Sequence, residues 1–186
     1  MKKILKIILA IFAVLIIVGI ASFSVVVFDV AGNLATDSKT LPNGSTTGKA
    51  LVVYDPGLSG GAKDVATKIG YNLKSSGYVV LAGVKSSTAA NITGYNVIVV
   101  GGPIYAGKPA STVQSYLNSL NPPAQTKVGA FGFGSVKVDD TNSTEVMQDV
   151  APLPSNSTVT LNAVIKIGSG DNIDSRCSEF VNNLLK

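Results

Sequence analysis

The sequence predicts an α/β fold: an open, doubly wound parallel sheet of five strands with helices on both faces, preceded by one transmembrane helix. Three observations predict it. Short apolar runs alternate with amphipathic stretches from residue 49 to the C-terminus, the pattern of a parallel sheet with crossover helices. The runs are apolar through their centres, as strands covered on both faces must be. The most glycine-rich loops follow the first, third and fourth runs, where open sheets of this kind build their sites.

The chain has 186 residues, 46% of them hydrophobic and 14% charged, with a mean hydropathy of +0.37. That suits one domain plus a membrane segment, not two domains. Ile7 to Phe28 runs 22 residues without a charge, long enough to cross a hydrocarbon core of about 30 Å. Gly19 and Ala21 also form a small-x-small pattern that a signal peptidase accepts, but the run exceeds the roughly 7–15 apolar residues of a cleaved signal. Residues 1–30 therefore read as a signal anchor. Lys2, Lys3 and Lys6 precede the span and the next lysine is Lys39, so the N-terminus is expected in the cytoplasm and the domain outside. If the segment is cleaved, the domain is secreted. Four Asn-x-Ser/Thr triplets, at Asn43, Asn91, Asn142 and Asn156, agree with that side. Residues 31–48, rich in Gly, Ser, Thr and Asn, read as a flexible linker, and the domain as 49–186.

Within the domain, Ala50–Tyr54 is the first strand. Ala62–Ser76 is a helix with Ala62, Ala66, Ile69 and Leu73 on one stripe, ended by Gly77. Tyr78–Val84 is the second strand and Asn96–Gly101 the third. Ser111–Leu120 is a helix that places Val113, Tyr116, Leu117 and Leu120 inward and stops before Pro122 and Pro123. Lys127–Phe133 is the fourth strand, Thr144–Val150 a short helix and Thr158–Ile167 the fifth strand. The last helix puts Ile173, Cys177, Phe180, Val181 and Leu184 on one face, which makes Cys177 a packing residue.

Composition excludes several chemistries. The chain has no His and one Cys, so a His-based triad, a His-ligated metal and a Cys-x-x-Cys site are ruled out. Of its 15 cationic residues three precede the span, leaving 12 against 11 acidic groups. A nearly neutral domain lacks the basic footprint of a nucleic-acid binder. Gly102–Lys108 matches Gly-x-x-x-x-Gly-Lys, but Pro109 stands where a nucleotide-binding loop needs Ser or Thr. A phosphoacceptor domain needs an Asp ending the third strand, and this chain has Gly101 and Gly102 there.

The loops Asp55–Gly61, Gly102–Pro109 and Gly132–Asp140 carry the functional reading. In the first, Gly57, Leu58, Ser59, Gly60 and Gly61 lead into a helix N-terminus whose amides suit a phosphate. The stretch from Lys49 through Ala66 resembles the first strand, phosphate loop and first helix of the flavodoxins. The stretch Asn96–Pro109 resembles their third strand and second flavin loop. The resemblance implies a flavodoxin-like fold, strand order 2-1-3-4-5, that holds FMN and transfers electrons. It implies that Ser59, Gly60 and Gly61 bind the phosphate, within a site made of Gly57, Leu58, Gly102, Pro103, Ile104, Tyr105, Ala106, Gly107, Gly132, Phe133 and Gly134. Tyr105 would face the isoalloxazine ring, the Ala106–Gly107 peptide would lie near its N5, and Gly132–Gly134 would close the other side. No catalytic side chain is needed, since backbone groups tune the flavin.

Two positions depart from that pattern. Pro56 and Ala62 stand where flavodoxins carry hydroxyls, and each lost charge-assisted bond is worth about 1.5–3 kcal/mol. The expectation is a membrane-anchored electron carrier that exchanges electrons with a redox partner protein or a quinone. Two rivals stand beside it: an FMN-dependent oxidoreductase acting on a quinone or porphyrin-type substrate, and a flavin-free surface module.

Overall fold

A computed structural model describes residues 2–30, 35–41, 48–135 and 143–186. Helix α1 (Lys2–Val30) contains the apolar stretch Lys6–Ser24, long and apolar enough to cross a membrane. The remaining elements are β1 (Ser38–Thr40), β2 (Lys49–Tyr54), α2 (Gly61–Leu73), β3 (Tyr78–Gly83), α3 (Ser87–Ala90), β4 (Val97–Tyr105), β5 (Lys108–Pro109), α4 (Ser111–Ser119), β6 (Lys127–Gly134), α5 (Thr144–Val150), β7 (Leu161–Gly168) and α6 (Ile173–Leu185).

Five strands pair in parallel in the order β3-β2-β4-β6-β7, which is 2-1-3-4-5 counted along the domain. The fold is flavodoxin-like. Alternate residues along each strand feed two cores, because successive side chains point to opposite faces. Val52, Val99, Phe131 and Ile165 pack under α2 and α6. Leu51, Val53, Ile98, Val100, Ala130 and Val164 pack under α4 and α5. Gly70 and Gly129 allow close helix packing: a Cβ at Gly70 would meet Leu81 at 2.8 Å, and one at Gly129 would meet Phe180 at 2.7 Å.

Among the described residues the sheet has seven strands, not the expected five. The first addition lies in the stretch read as a linker. Ser38–Thr40 runs antiparallel to β3 along the sheet edge, and the flanking Ala35 and Leu41 are both 0% exposed. Residues 35–41 are thus part of the fold. Ser-Lys-Thr has no apolar pattern to announce a strand; its partner is an unpaired edge that covering protects. The second addition is β5. Strand β4 continues four residues beyond the expected end at Gly101, then turns back through Ala106 and Gly107 to pair Tyr105 with Lys108. Both turn residues have positive φ, 51° and 75°, as a two-residue hairpin with the twist of its strands requires. The fifth parallel strand begins at Leu161, three residues after the expected start.

Asn91 and Asn156 are exposed, in turns ahead of β4 and β7. Asn43 and Asn142 lie outside the described residues.

Candidate functional site at the carboxyl ends of the strands

The chain winds one way from β2 to β3 and the other way from β4 onward, so the switch in strand order lies between β2 and β4. A cleft of about 360 Å³ opens there, lined by Leu58 and Ser59 after β2, by Pro103, Ile104 and Tyr105 at the end of β4, and by Phe133 and Gly134 at the end of β6. Those seven are among the expected site residues. Ser135 and Ser169 complete the lining. Ser169 belongs to the turn after β7, where Ser169 N–H donates to Gly134 C=O at 3.0 Å. This fourth loop also ends a parallel strand, but its short Ser169-Gly170-Asp171 turn carries a less conspicuous glycine signal than the other three.

The other expected residues serve the cleft indirectly. A Cβ at Gly102 would approach Val113 to 2.7 Å and Asp55 to 3.0 Å, and one at Gly132 would approach a methyl of Ile104 at a separation no real Cβ adopts. Gly102 leaves room for Val113 and Asp55, and Gly132 lets Ile104, which lines the cleft, pack against the sheet. Ala106 and Gly107 are exposed at the hairpin tip, beside the cleft. Residues 136–140 of the third loop lie outside the described residues.

The first loop is shaped by Asp55, which the sequence reading gave no role. Asp55 is 1% exposed. Its carboxylate accepts from Gly57 N–H at 3.1 Å and from the Thr112 hydroxyl at 2.5 Å, tying the loop to α4. The short side chain folding back on its own backbone is an Asx turn. Gly57 and Gly60 are left-handed, with φ 62° and 71°. Gly57 also passes close to the second loop, since a Cβ there would stand 3.0 Å from Pro103. The α2 N-terminus has no side-chain cap, so its first-turn N–H groups lack intrahelical partners.

Whether FMN fits divides into two halves. The ring half fits: Leu58, Pro103, Ile104, Tyr105 and Phe133 make an apolar slot with a polar tip on Tyr105, suited to a flat aromatic. The phosphate half is thinner. Pro56 has no N–H. Gly57 N–H is committed to Asp55, Gly60 N–H to Gly57 C=O at 3.4 Å, and Gly61 N–H to the Ser59 hydroxyl at 3.3 Å. The Leu58 and Ser59 amides, the Ser59 hydroxyl and the open end of α2 are the available donors. The Phe133 ring rests on Gly61, leaving no room there for any side chain. Ala62 is 0% exposed and sits in the α2 core. It is a packing residue, not a vacant phosphate ligand.

Two further grooves, of about 330 and 430 Å³, flank α4 and share Val84, Lys85, Tyr116 and Ser119. They lie to one side of the strand switch and contain none of the glycine-rich loops. Among the described residues no group of His, Cys, Asp and Glu is arranged to hold a metal.

No family model matches the chain, and no curated protein matches it. Solved structures do resemble it. The likeness is to flavodoxins. Oxidised flavodoxin 2 from Bacillus cereus is 20% identical, over 74% of this chain and 97% of that one, with a TM-score of 0.48. A short-chain flavodoxin associated with a non-canonical PDU bacterial microcompartment is 18% identical over 74% and 96%, with a TM-score of 0.49. A flavodoxin from Streptococcus pneumonia TIGR4 is 16% identical over 74% and 97%, with a TM-score of 0.47. At these identities the flavodoxin-like assignment is one of fold, and it stands on the strand order itself.

Proposed function

We propose that this chain is a flavodoxin-like electron carrier that binds FMN in the cleft and is held at the outer face of a membrane by residues 1–30. Its domain comprises residues 49–186 together with the edge segment 35–41. The observation that supports the reading best is the apolar slot at the switch point, with Tyr105 and Phe133 beside a loop in which Gly57 and Gly60 are left-handed. Bound FMN would supply one- or two-electron chemistry. Tyr105, Leu58 and Phe133 would hold the ring and exclude water from it, and the Leu58 and Ser59 amides with the α2 N-terminus would hold the phosphate. The redox partner is a membrane or surface protein or a quinone.

A second reading, a flavin-free surface module, draws on the phosphate half of the loop. Three of its amides are spent internally, and the buried Asp55 carboxylate stands beside where a dianion would sit.

One titration separates the two. Full-length protein in detergent is titrated with FMN and with riboflavin, following flavin fluorescence. Quenching with both ligands, tighter for FMN, supports the carrier. Absence of binding by either ligand leaves the surface module.

A further inference from the structure

The chain between the apolar helix and the domain is short, and it joins the domain at one end only. Asp29 is the first charged residue after the apolar run and precedes Ala35 by six residues. Ala35 is fixed in place. Its side chain is fully buried, its C=O accepts from Lys85 N–H at 2.7 Å, and the nearby Asp37 C=O accepts from Gly83 N–H at 2.5 Å. A Cβ at Gly83 would stand 2.5 Å from the Ala35 carbonyl, so this docking needs the glycine.

Strand β1 is antiparallel to β3, with Ser38 opposite Ala82 and Thr40 opposite Val80. Residues 35–37 therefore lie at the carboxyl end of β3, the end of the sheet where the cleft opens. Tyr54, at the carboxyl end of β2, reports the same neighbourhood: burial first, then the Asp37 carboxylate, push its phenol pKa up.

Six extended residues reach at most about 22 Å. From Lys85, which holds Ala35, back to Tyr78 at the amino end of β3 is about 23 Å of strand, before the loops beyond that end are added. A chain that leaves the bilayer at residue 29 is too short to pass down the sheet edge and lay the amino end of the domain on lipid. We infer that the carboxyl end of the sheet, with the cleft, faces the lipid surface, and that the amino end points away from it. This rests on α1 being a membrane anchor and is independent of the flavin. The exposed Asn91 and Asn156 both lie at the amino end, open to bulk solvent. A redox partner that exchanges electrons at the cleft would then approach it from the bilayer side.

The test uses full-length protein in phosphatidylcholine vesicles that carry a nitroxide on the lipid headgroup. Lys108→Cys places a thiol on the exposed hairpin at the carboxyl end, and Asn156→Cys places one at the amino end. Each is labelled with a thiol-reactive fluorophore. Cys177 does not compete, because it is fully buried and burial pushes its thiol up to about 12. With the two ends about 20–30 Å apart, the label at 108 is expected to lose at least about three times the fluorescence fraction lost at 156. Flotation with the vesicles but equal quenching at both positions, or stronger quenching at 156, overturns the orientation and leaves the anchor standing. Failure to float overturns the anchor, and the orientation with it.

Discussion

Tyr105 ends β4 just before a turn that forces two positive φ angles, so its ring is delivered to the cleft by the hairpin. Replacing it by Ala removes stacking area but no backbone bond of the turn. The expected result is FMN binding weaker by about 1–2 kcal/mol, read by fluorescence titration. An unchanged dissociation constant would show that the ring only covers the surface. Pro56 and Ala62 behave differently from each other, although both stand where flavodoxin hydroxyls are expected. Pro56 is half-buried in the loop, whereas Ala62 is packed in the core. Pro56→Ser restores an amide and a hydroxyl and is expected to tighten FMN by about 1–3 kcal/mol while leaving riboflavin unchanged. Ala62→Thr puts a hydroxyl and a methyl into close-packed space. Its expected outcome is a loss of about 1–3 kcal/mol in stability with no gain in FMN affinity. Chemical denaturation and the same titration check both halves; tighter FMN binding with Thr at 62 would contradict its placement in the core.

At the scale of elements, the edge strand makes the sharpest test because its sequence hides it. Leu41 is fully buried against Gly70, so Leu41→Ala is expected to cost about 2–5 kcal/mol, as cavity formation in a core does. Lys39→Ala, exposed on the same strand, is expected to change stability by no more than about 0.5 kcal/mol. Equal, small effects in urea denaturation would return residues 35–41 to the status of a linker. The same contrast explains what the sequence made legible. The parallel strands β2, β3, β4, β6 and β7 were readable because burial on both faces demands unbroken apolar runs. Helices α2, α4 and α6 were readable because each shows one face to a core. Strand β1 owes its existence to tertiary pairing alone. The overrun of β4 was unreadable because Gly102 and Pro103 signal a turn locally, yet Pro103 pairs in register with Phe133. Of the candidate site, the glycine-rich loops and Tyr105 were legible, but Asp55 was not. An Asp before Pro-Gly reads as turn chemistry, and only the fold reveals Thr112 as its second partner.

For the whole molecule, one ionisable group buried in a core, Cys177, and one partly buried against the other, Tyr116, tie stability to alkaline pH. Burial, with Tyr95 adding, pushes the Tyr116 phenol up to about 12 from 10.0, and its hydroxyl donates to Ala89 C=O at 2.7 Å. Burial pushes the Cys177 thiol up to about 12 from 9.0, despite the opposing pull of Lys68. Both groups are neutral in the folded state well above the pH at which the unfolded chain ionises. The unfolded state therefore binds fewer protons in that window, and stability must fall as pH rises. The two contributions are fully present below about pH 9 and are lost by about pH 12. Their midpoints in the unfolded chain differ by one unit, 9.0 for the thiol and 10.0 for the phenol, so the thiol dominates the early part of the decline. Cys177→Ala should therefore remove the early part of the decline while keeping the later part, whatever it does to absolute stability through the lost sulfur. Urea midpoints measured from pH 8 to 11 for the parent and for Cys177→Ala give the comparison. The parent is expected to decline from about pH 9 and the variant from about pH 10, with Tyr116→Phe flattening the later limb. Coincident curves for the parent and Cys177→Ala would mean that the thiol is not sealed between α6 and α2.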